Sequence, residues 1–194
     1  MPIYLVIGII VIIIPKVFIQ IITIIMSYTL NRRLIHNIII IYNIIMGGGK
    51  HSSDKLNNSL QITSKILNDN NIKNWFIAYG TLLGIVRENS CINNDDDIDI
   101  ITDINNHDII KQLFIDNNMR VGYDKNTFFR IDAGKTHGPI DFYFAELDNS
   151  GNFNDTWEKV VWSNCYNPDN NLIEYMWNDN KLYLPFNYEE KLIN

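Results

Sequence analysis

The chain has 194 residues, a net charge of −6 and 46% apolar residues, enough for one ordinary domain with an extension. The acidic balance, with no basic stripe collected along the chain, argues against a nucleic-acid partner. The two cysteines, Cys91 and Cys165, form no metal-spacing motif and are read as free buried thiols. Ile and Asn are abundant throughout, which is read as the coding bias of an AT-rich genome with no structural content.

Residues 3–26 are strongly apolar, broken by Pro15-Lys16, Gln20 and Thr23, and their length suits a membrane span. Leu34 to Met46 is shorter and carries His36, Asn37 and Asn43, so it reads as interfacial or packed on the first stretch. A cleavable signal peptide fits less well, since no basic n-region and no small-residue cleavage site is present. Residues 1–46 are thus expected to be an apolar helical leader serving as a single-pass membrane anchor. The alternative is that Met46 opens the functional product. Arg32, Arg33 and Lys50 follow the leader, and the positive-inside rule then puts the next domain in the cytosol. The sequons Asn57-Asn58-Ser59 and Asn154-Asp155-Thr156 would be usable only in a lumen.

Gly47–Ser53 reads as a flexible linker at residues 47–53, and residues 54–194 as the domain. Ser53-Asp54 can cap a helix bearing Leu56, Leu60, Ile66 and Leu67, ended by Asn68-Asp69-Asn70-Asn71. Trp75 to Tyr79 reads as a buried strand, and Gly80-Thr81 turns into a helix through Arg87. Ile98–Thr102 is a strand. Asn106 to Asn117 is a helix with Ile109, Ile110, Leu113 and Phe114 inward. Arg120–Tyr123, Thr127–Asp132 and Pro139–Ala145 are expected strands, separated by turn signals. Trp157–Trp162 and Leu172–Trp177 are ambiguous, and Lys181–Pro185 is a short strand. The sum is an α+β fold, a small mixed sheet flanked by helices.

Two features carry chemistry. Asp95-Asp96-Asp97-Ile98-Asp99 packs four carboxylates into five residues, which is stable only when solvated or neutralised by a cation. Residues two apart in a strand share a face, so Asp97 and Asp99 converge while Ile98 and Ile100 enter the core. Hard carboxylate oxygens suit Mg²⁺, or Mn²⁺ as the alternative. The bland reading is a solvated acidic loop. A calcium-binding helix-loop-helix is excluded, because Ile100 and Asn106 stand where its Gly and Glu belong. The second feature is Gly80-Thr81, where a helix start can offer N–H groups to phosphate, Thr81 a hydroxyl, and Arg87 a cation able to hold phosphate oxygens. The bland reading makes Gly80 and Gly84 turn and packing residues and Arg87 a surface residue. For Gly84 packing is preferred. Arg130, two residues from Asp132 in one strand, is read as an internal ion-pair partner or as a contact to donor or acceptor. Trp157, Trp162, Tyr166, Tyr175 and Trp177 are read either as a wall of the acceptor side or as core.

Tyr79-Gly80-Thr81-Leu82-Leu83-Gly84-Ile85-Val86-Arg87, followed by Asp95-Asp96-Asp97-Ile98-Asp99-Ile100, resembles the LicD family, which includes fukutin and fukutin-related protein. Thr127–Ile131 with Pro139-Ile140-Asp141-Phe142, and Leu182–Phe186, resemble its later strands, so the similarity covers roughly residues 70–190. The resemblance implies a nucleotidyltransferase superfamily fold with a polymerase-β-like core. It further implies Mg²⁺-dependent transfer of a phospho-alcohol, of the phosphocholine or phospho-alditol type, from a CDP-activated donor to a glycan or glycolipid hydroxyl, with CMP released. Asp97, Asp99 and Asp141 would then be the catalytic and metal-binding carboxylates, and Gly80, Thr81 and Arg87 would contact the donor. Two departures stand out. Asn93-Asn94 replace the family's usual Pro-Trp, and the domain is expected to be short at its C-terminal end. Eukaryotic relatives of the fukutin type are Golgi-facing, which opposes the charge rule. Two other functions stay open: a nucleotidyltransferase moving NMP to a small molecule, RNA or protein, and a degenerate membrane module that binds a metal nucleotide without turnover.

Overall fold

The computed structural model describes residues 50–193. The expected leader over residues 1–46, its span at 3–26, and linker residues 47–49 lie outside the described residues. Among the described residues no helix is long and apolar enough to cross a membrane.

Helix α1 (Ser53–Asp69) starts where Ser52 accepts the Lys55 N–H at 3.4 Å, which satisfies one of the otherwise unpaired first-turn donors. Its inner face carries Leu56, Leu60 and Leu67, all fully buried. Before it, the His51 N–H donates to the carbonyl of Asp95 at 2.9 Å, and His51's own carbonyl accepts from Asn94 at 3.0 Å. Residues 51–53 are thereby tied to the acidic segment. The Asn57 amide donates to Ser90 and accepts the Cys91 N–H at 2.8 Å, so the first sequon's asparagine serves as a clamp between α1 and the 90–91 turn.

The central sheet runs β1 (Trp75–Ile77), β2 (Ile98–Asp103), β5 (Ile140–Leu147), β4 (Phe128–Ile131), β3 (Val121–Lys125) in spatial order, with β6 (Phe153–Asp155) on the end of β5 and β7 (Val160–Trp162) on β6. The β2–β5 pairing is parallel, and its neighbours β1–β2 and β4–β5 are antiparallel. Parallel pairing needs a long return. Here it contains a short 3₁₀ turn (Ile104–Asn106), α3 (His107–Asp116) and the β3–β4 hairpin. Helix α2 (Tyr79–Glu88) joins β1 to the acidic segment, and a second sheet is the hairpin β8 (Ile173–Trp177) with β9 (Asn180–Leu184). A short α4 spans Tyr188–Ile193.

The period-two alternation divides the sheet into two faces. Ile98, Ile100, Phe129, Ile131, Ile140, Phe142 and Phe144 meet α1, α2 and α3 in the main core. The opposite face shows Asp99, Ile101, Phe128, Arg130, Asp141 and Tyr143. On α3 only Ile110 and Phe114 are buried, while Ile109 is 50% exposed, because one face of so short a helix reaches the sheet. Trp177 is core, its ring N–H donating to the Asn89 carbonyl at 2.9 Å. Of the twelve non-glycine residues with positive φ among the described residues, nine are asparagines. Asparagine enters the left-handed region far more readily than most residues, and Asn89 ends α2 in that way at φ 52°. The asparagine content therefore does have structural content, contrary to the expectation from composition.

Candidate functional site

The site is built where α2 begins and β2 begins. The Ala78 N–H donates to the carbonyl of Asp99 at 3.1 Å, and the Asp99 N–H donates to Thr81 Oγ1 at 2.8 Å. Thr81 is buried, so its hydroxyl pins the two elements together. Ala78 at the N-cap provides no side-chain cap, which leaves the first-turn N–H groups pointing out of the helix. Tyr79 opens the helix at φ +45°, a costly conformation for a bulky residue. Its ring is held edge-on by Tyr143 at 5.2 Å and Trp162 at 5.3 Å. Its hydroxyl donates to Asp155 at 2.8 Å. Asp155 is fully buried and also accepts the N–H groups of Trp157 and Glu158.

Strand register then sets a row across the sheet. Asp99 stands opposite Asp141 on the parallel pair, and Asp141 stands opposite Arg130. Asp99 and Asp141 are 7% and 4% exposed. Arg130 Nε donates to Asp141 Oδ1 at 2.6 Å and its Nη2 to Oδ2 at 2.8 Å, and Nη2 also donates to Asp97 Oδ2. Arg130 thus pairs across strands, whereas its chain neighbour Asp132 pairs with Arg120 at 2.5 Å. The Tyr143 hydroxyl donates to Asp99 Oδ1 at 3.3 Å.

Asp95 lies in the loop before β2, and its carboxylate joins the cluster. A Cβ on Gly80 would sit 2.7 Å from Asp95 Oδ2 and 3.7 Å from Asp99 Oδ2. Glycine is therefore required for this carboxylate to lie against the start of α2, an end that favours negative charge. Gly84 is a packing residue, since a Cβ there would meet the Ser90 carbonyl at 2.6 Å. Arg87 lies in the last turn, about 10 Å along the axis from Gly80 at 1.5 Å per residue. It is paired with Glu88 at 2.7 Å, so the structure does not bring it to the carboxylates.

Burial pushes Asp97 up to about 9, with Asp99 and Asp141 adding repulsion that outweighs the pull of Arg130. Burial, then Asp141 and Asp95, pushes Asp99 up to about 8. Burial also raises Asp141 against the opposing effect of Arg130. One guanidinium is thus too little positive charge for these acids. The donor set of Asp97, Asp99 and Asp141 is hard oxygen, the kind that suits Mg²⁺ or Mn²⁺. Among the described residues no three acidic, His or Cys side chains are gathered as a ready metal shell, and the guanidinium lies between two of the three carboxylates.

An aromatic strip leaves the carboxylates along the same face. Phe128 is edge-on to Tyr143 at 5.2 Å and stacks on Trp157 at 4.6 Å and 12°. Tyr123 leans on Trp157 at 5.8 Å. Of the aromatics singled out in the sequence, Trp157 is on this strip, 38% exposed, and Trp177 is not. Phe128, Tyr143 and Tyr123 were not recognisable without the strand pairing.

The domain sets two register-matched carboxylates beside a helix start on a mixed sheet. Its overall fold matches that of the lincosamide antibiotic adenylyltransferase LnuA, lincomycin-bound, at TM-score 0.50 and 14% identity over 71% of this chain and 84% of that one. A weaker similarity, at TM-score 0.49 and 12% identity over 66% of this chain and 67% of that one, is to ANT(2")-Ia in complex with adenylyl-2"-tobramycin. No curated protein matches the sequence. The family described as LicD/FKTN/FKRP, nucleotidyltransferase domain, matches residues 71–170, just over half of the chain. The chain belongs to that family.

Proposed function

We propose that this chain moves a phospho-alcohol from a CDP-activated donor to a hydroxyl of a glycan or glycolipid. The single observation that carries the reading is the register of Asp99 with Asp141 on β2 and β5, next to the uncapped start of α2, in a chain of the LicD family. Phosphoryl transfer asks mainly for positioning and charge neutralisation, and buried, mutually repelling carboxylates beside free helix N–H groups are suited to both. Asp97, Asp99 and Asp141 would hold Mg²⁺, which neutralises charge on the donor diphosphate. Gly80 carries no Cβ to block the start of α2, so a phosphate that displaces the Asp95 carboxylate can approach its N–H groups, and Thr81 keeps that start in line with Asp99. The acceptor oxygen attacks the phosphorus that carries the alcohol, the bond to the bridging oxygen breaks, and CMP leaves with its electron pair. Asp141 is assigned either to complete the metal site or to take the acceptor's proton. The aromatic strip is assigned to the acceptor side. Residues 3–26 would keep the domain at the membrane that supplies a glycolipid.

The test is product analysis with the full chain, Mg²⁺ and CDP-choline or CDP-ribitol. CMP appearing with a modified acceptor supports the proposal. Pyrophosphate released from an NTP would instead establish NMP transfer, a reading favoured by the fold shared with an adenylyltransferase. If Asp97→Ala and Asp99→Ala change neither transfer nor CDP-dependent thermal stabilisation, the metal-site assignment fails.

A further inference from the structure

Arg130 occupies the oxygens that a metal would need. Both Asp141 oxygens accept from its fork, at 2.6 and 2.8 Å, and Asp97 Oδ2 accepts from the same Nη2. The Asp141 side chain is only 6% exposed, so burial closes its other approaches, whereas the Arg130 side chain is 38% exposed. The carboxylates are anchored by β2 and β5, and the guanidinium rides on a long side chain from β4. When a competing cation enters, the arginine is the partner that moves. A guanidinium fork fits phosphate as well as carboxylate, and Arg130 stands one strand from Asp141 in the row that begins at Asp99.

We propose that Arg130 binds the donor's diphosphate by exchanging partners. In the donor-free protein it neutralises Asp97 and Asp141. In the donor complex it releases Asp141 and takes non-bridging phosphate oxygens. This rests on the carboxylates being the metal site, as proposed above. Arg130 is then both the internal ion-pair partner and the substrate-contacting residue that its sequence position allowed, each in a different state of the site. Its exchange makes metal and nucleotide binding interdependent, because each favours the arrangement in which the fork has left Asp141.

The experiment is Mn²⁺ titration of the full chain, followed by electron paramagnetic resonance, with and without CDP, for wild type, Arg130→Met and Arg130→Lys. Near-UV circular dichroism checks that each variant is folded. For wild type, CDP is expected to tighten Mn²⁺ binding by roughly tenfold or more, within the usual range of coupling between sites. For Arg130→Met, Mn²⁺ alone is expected to bind more tightly than to wild type, and most of the CDP enhancement is lost. Arg130→Lys keeps the charge without the fork and is expected to follow Arg130→Met in both respects. The inference is overturned if Arg130→Lys matches wild type, or if Arg130→Met keeps the full CDP enhancement. If Asp99→Asn binds Mn²⁺ as wild type does, the metal-site reading itself is wrong, whatever Arg130 does.

Discussion

Thr81 Oγ1 accepts the Asp99 N–H at 2.8 Å in a buried setting, so the phosphate-facing end of α2 and the carboxylate-bearing end of β2 share one hydrogen bond. Thr81→Val keeps the shape and removes the acceptor. The stranded N–H is expected to cost about 1–3 kcal/mol in urea unfolding. Thr81→Ser, which retains the hydroxyl, is expected to stay close to wild type. If valine and serine variants unfold alike, the bond does not matter to the site.

The carboxylate row makes stability depend on pH in a defined direction. Asp97 and Asp99 are raised to about 9 and about 8 in the folded protein, while an unfolded chain titrates at ordinary carboxylate values. Folded protein therefore holds more protons across that window. The contribution of these groups is fully present below the unfolded value and is lost as pH rises through the folded ones. Without divalent cations, the melting temperature of wild type is expected to fall relative to that of Asp99→Asn as pH rises over that window. Added Mg²⁺ is expected to recover the loss at the alkaline end. A difference between the two proteins that does not change with pH would contradict the burial argument.

Gly80 and Gly84 lie one helical turn apart and should respond differently to alanine. At Gly84 the new Cβ meets backbone, the Ser90 carbonyl at 2.6 Å, which cannot yield without moving the turn. A stability loss of about 1–3 kcal/mol is expected from such overpacking. At Gly80 the obstacle is the Asp95 side chain, which can rotate away. Gly80→Ala is expected to melt near wild type and to weaken CDP-dependent stabilisation. Calorimetry with CDP and Mg²⁺ distinguishes the two.

Tyr79→Phe tests what holds the strained start of α2. The hydroxyl bond to buried Asp155 is charge-assisted at 2.8 Å, and its loss is expected to cost about 1.5–3 kcal/mol. If the ring contacts with Tyr143 and Trp162 suffice, the variant will unfold at the same denaturant concentration as wild type.

Much of this candidate site was legible in the sequence, because Asp97, Asp99 and Gly80 belong to local patterns and Asp141 lies in a segment that resembles the family's later strands. What stayed hidden depends on pairing between distant segments. Arg130 was associated with Asp132 by sequence distance, yet strand register sets it opposite Asp141. Asp95 precedes the strand, so alternation said nothing about its direction, and the tie to His51 that turns the segment toward Gly80 crosses from before α1. Strand β6 has three residues, too few for a period to be seen, and with it went Asp155 and the anchoring of Tyr79. Ile109 looked inward because apolar spacing on a short helix does not reveal how wide a stripe the sheet will cover.

The asparagines at positive φ carry a consequence for how this fold can drift. Most other side chains at such positions would cost about 1–2 kcal/mol each, and nine sites together are comparable to a domain's whole stability margin of about 5–15 kcal/mol. A lineage whose base composition shifted away from asparagine codons would have to reach glycine at most of these turns, one at a time, to keep the same backbone. Relatives of this domain from genomes of other composition are thus expected to show glycine at positions matching Asn89, Asn94 and Asn118, where composition and geometry here coincide.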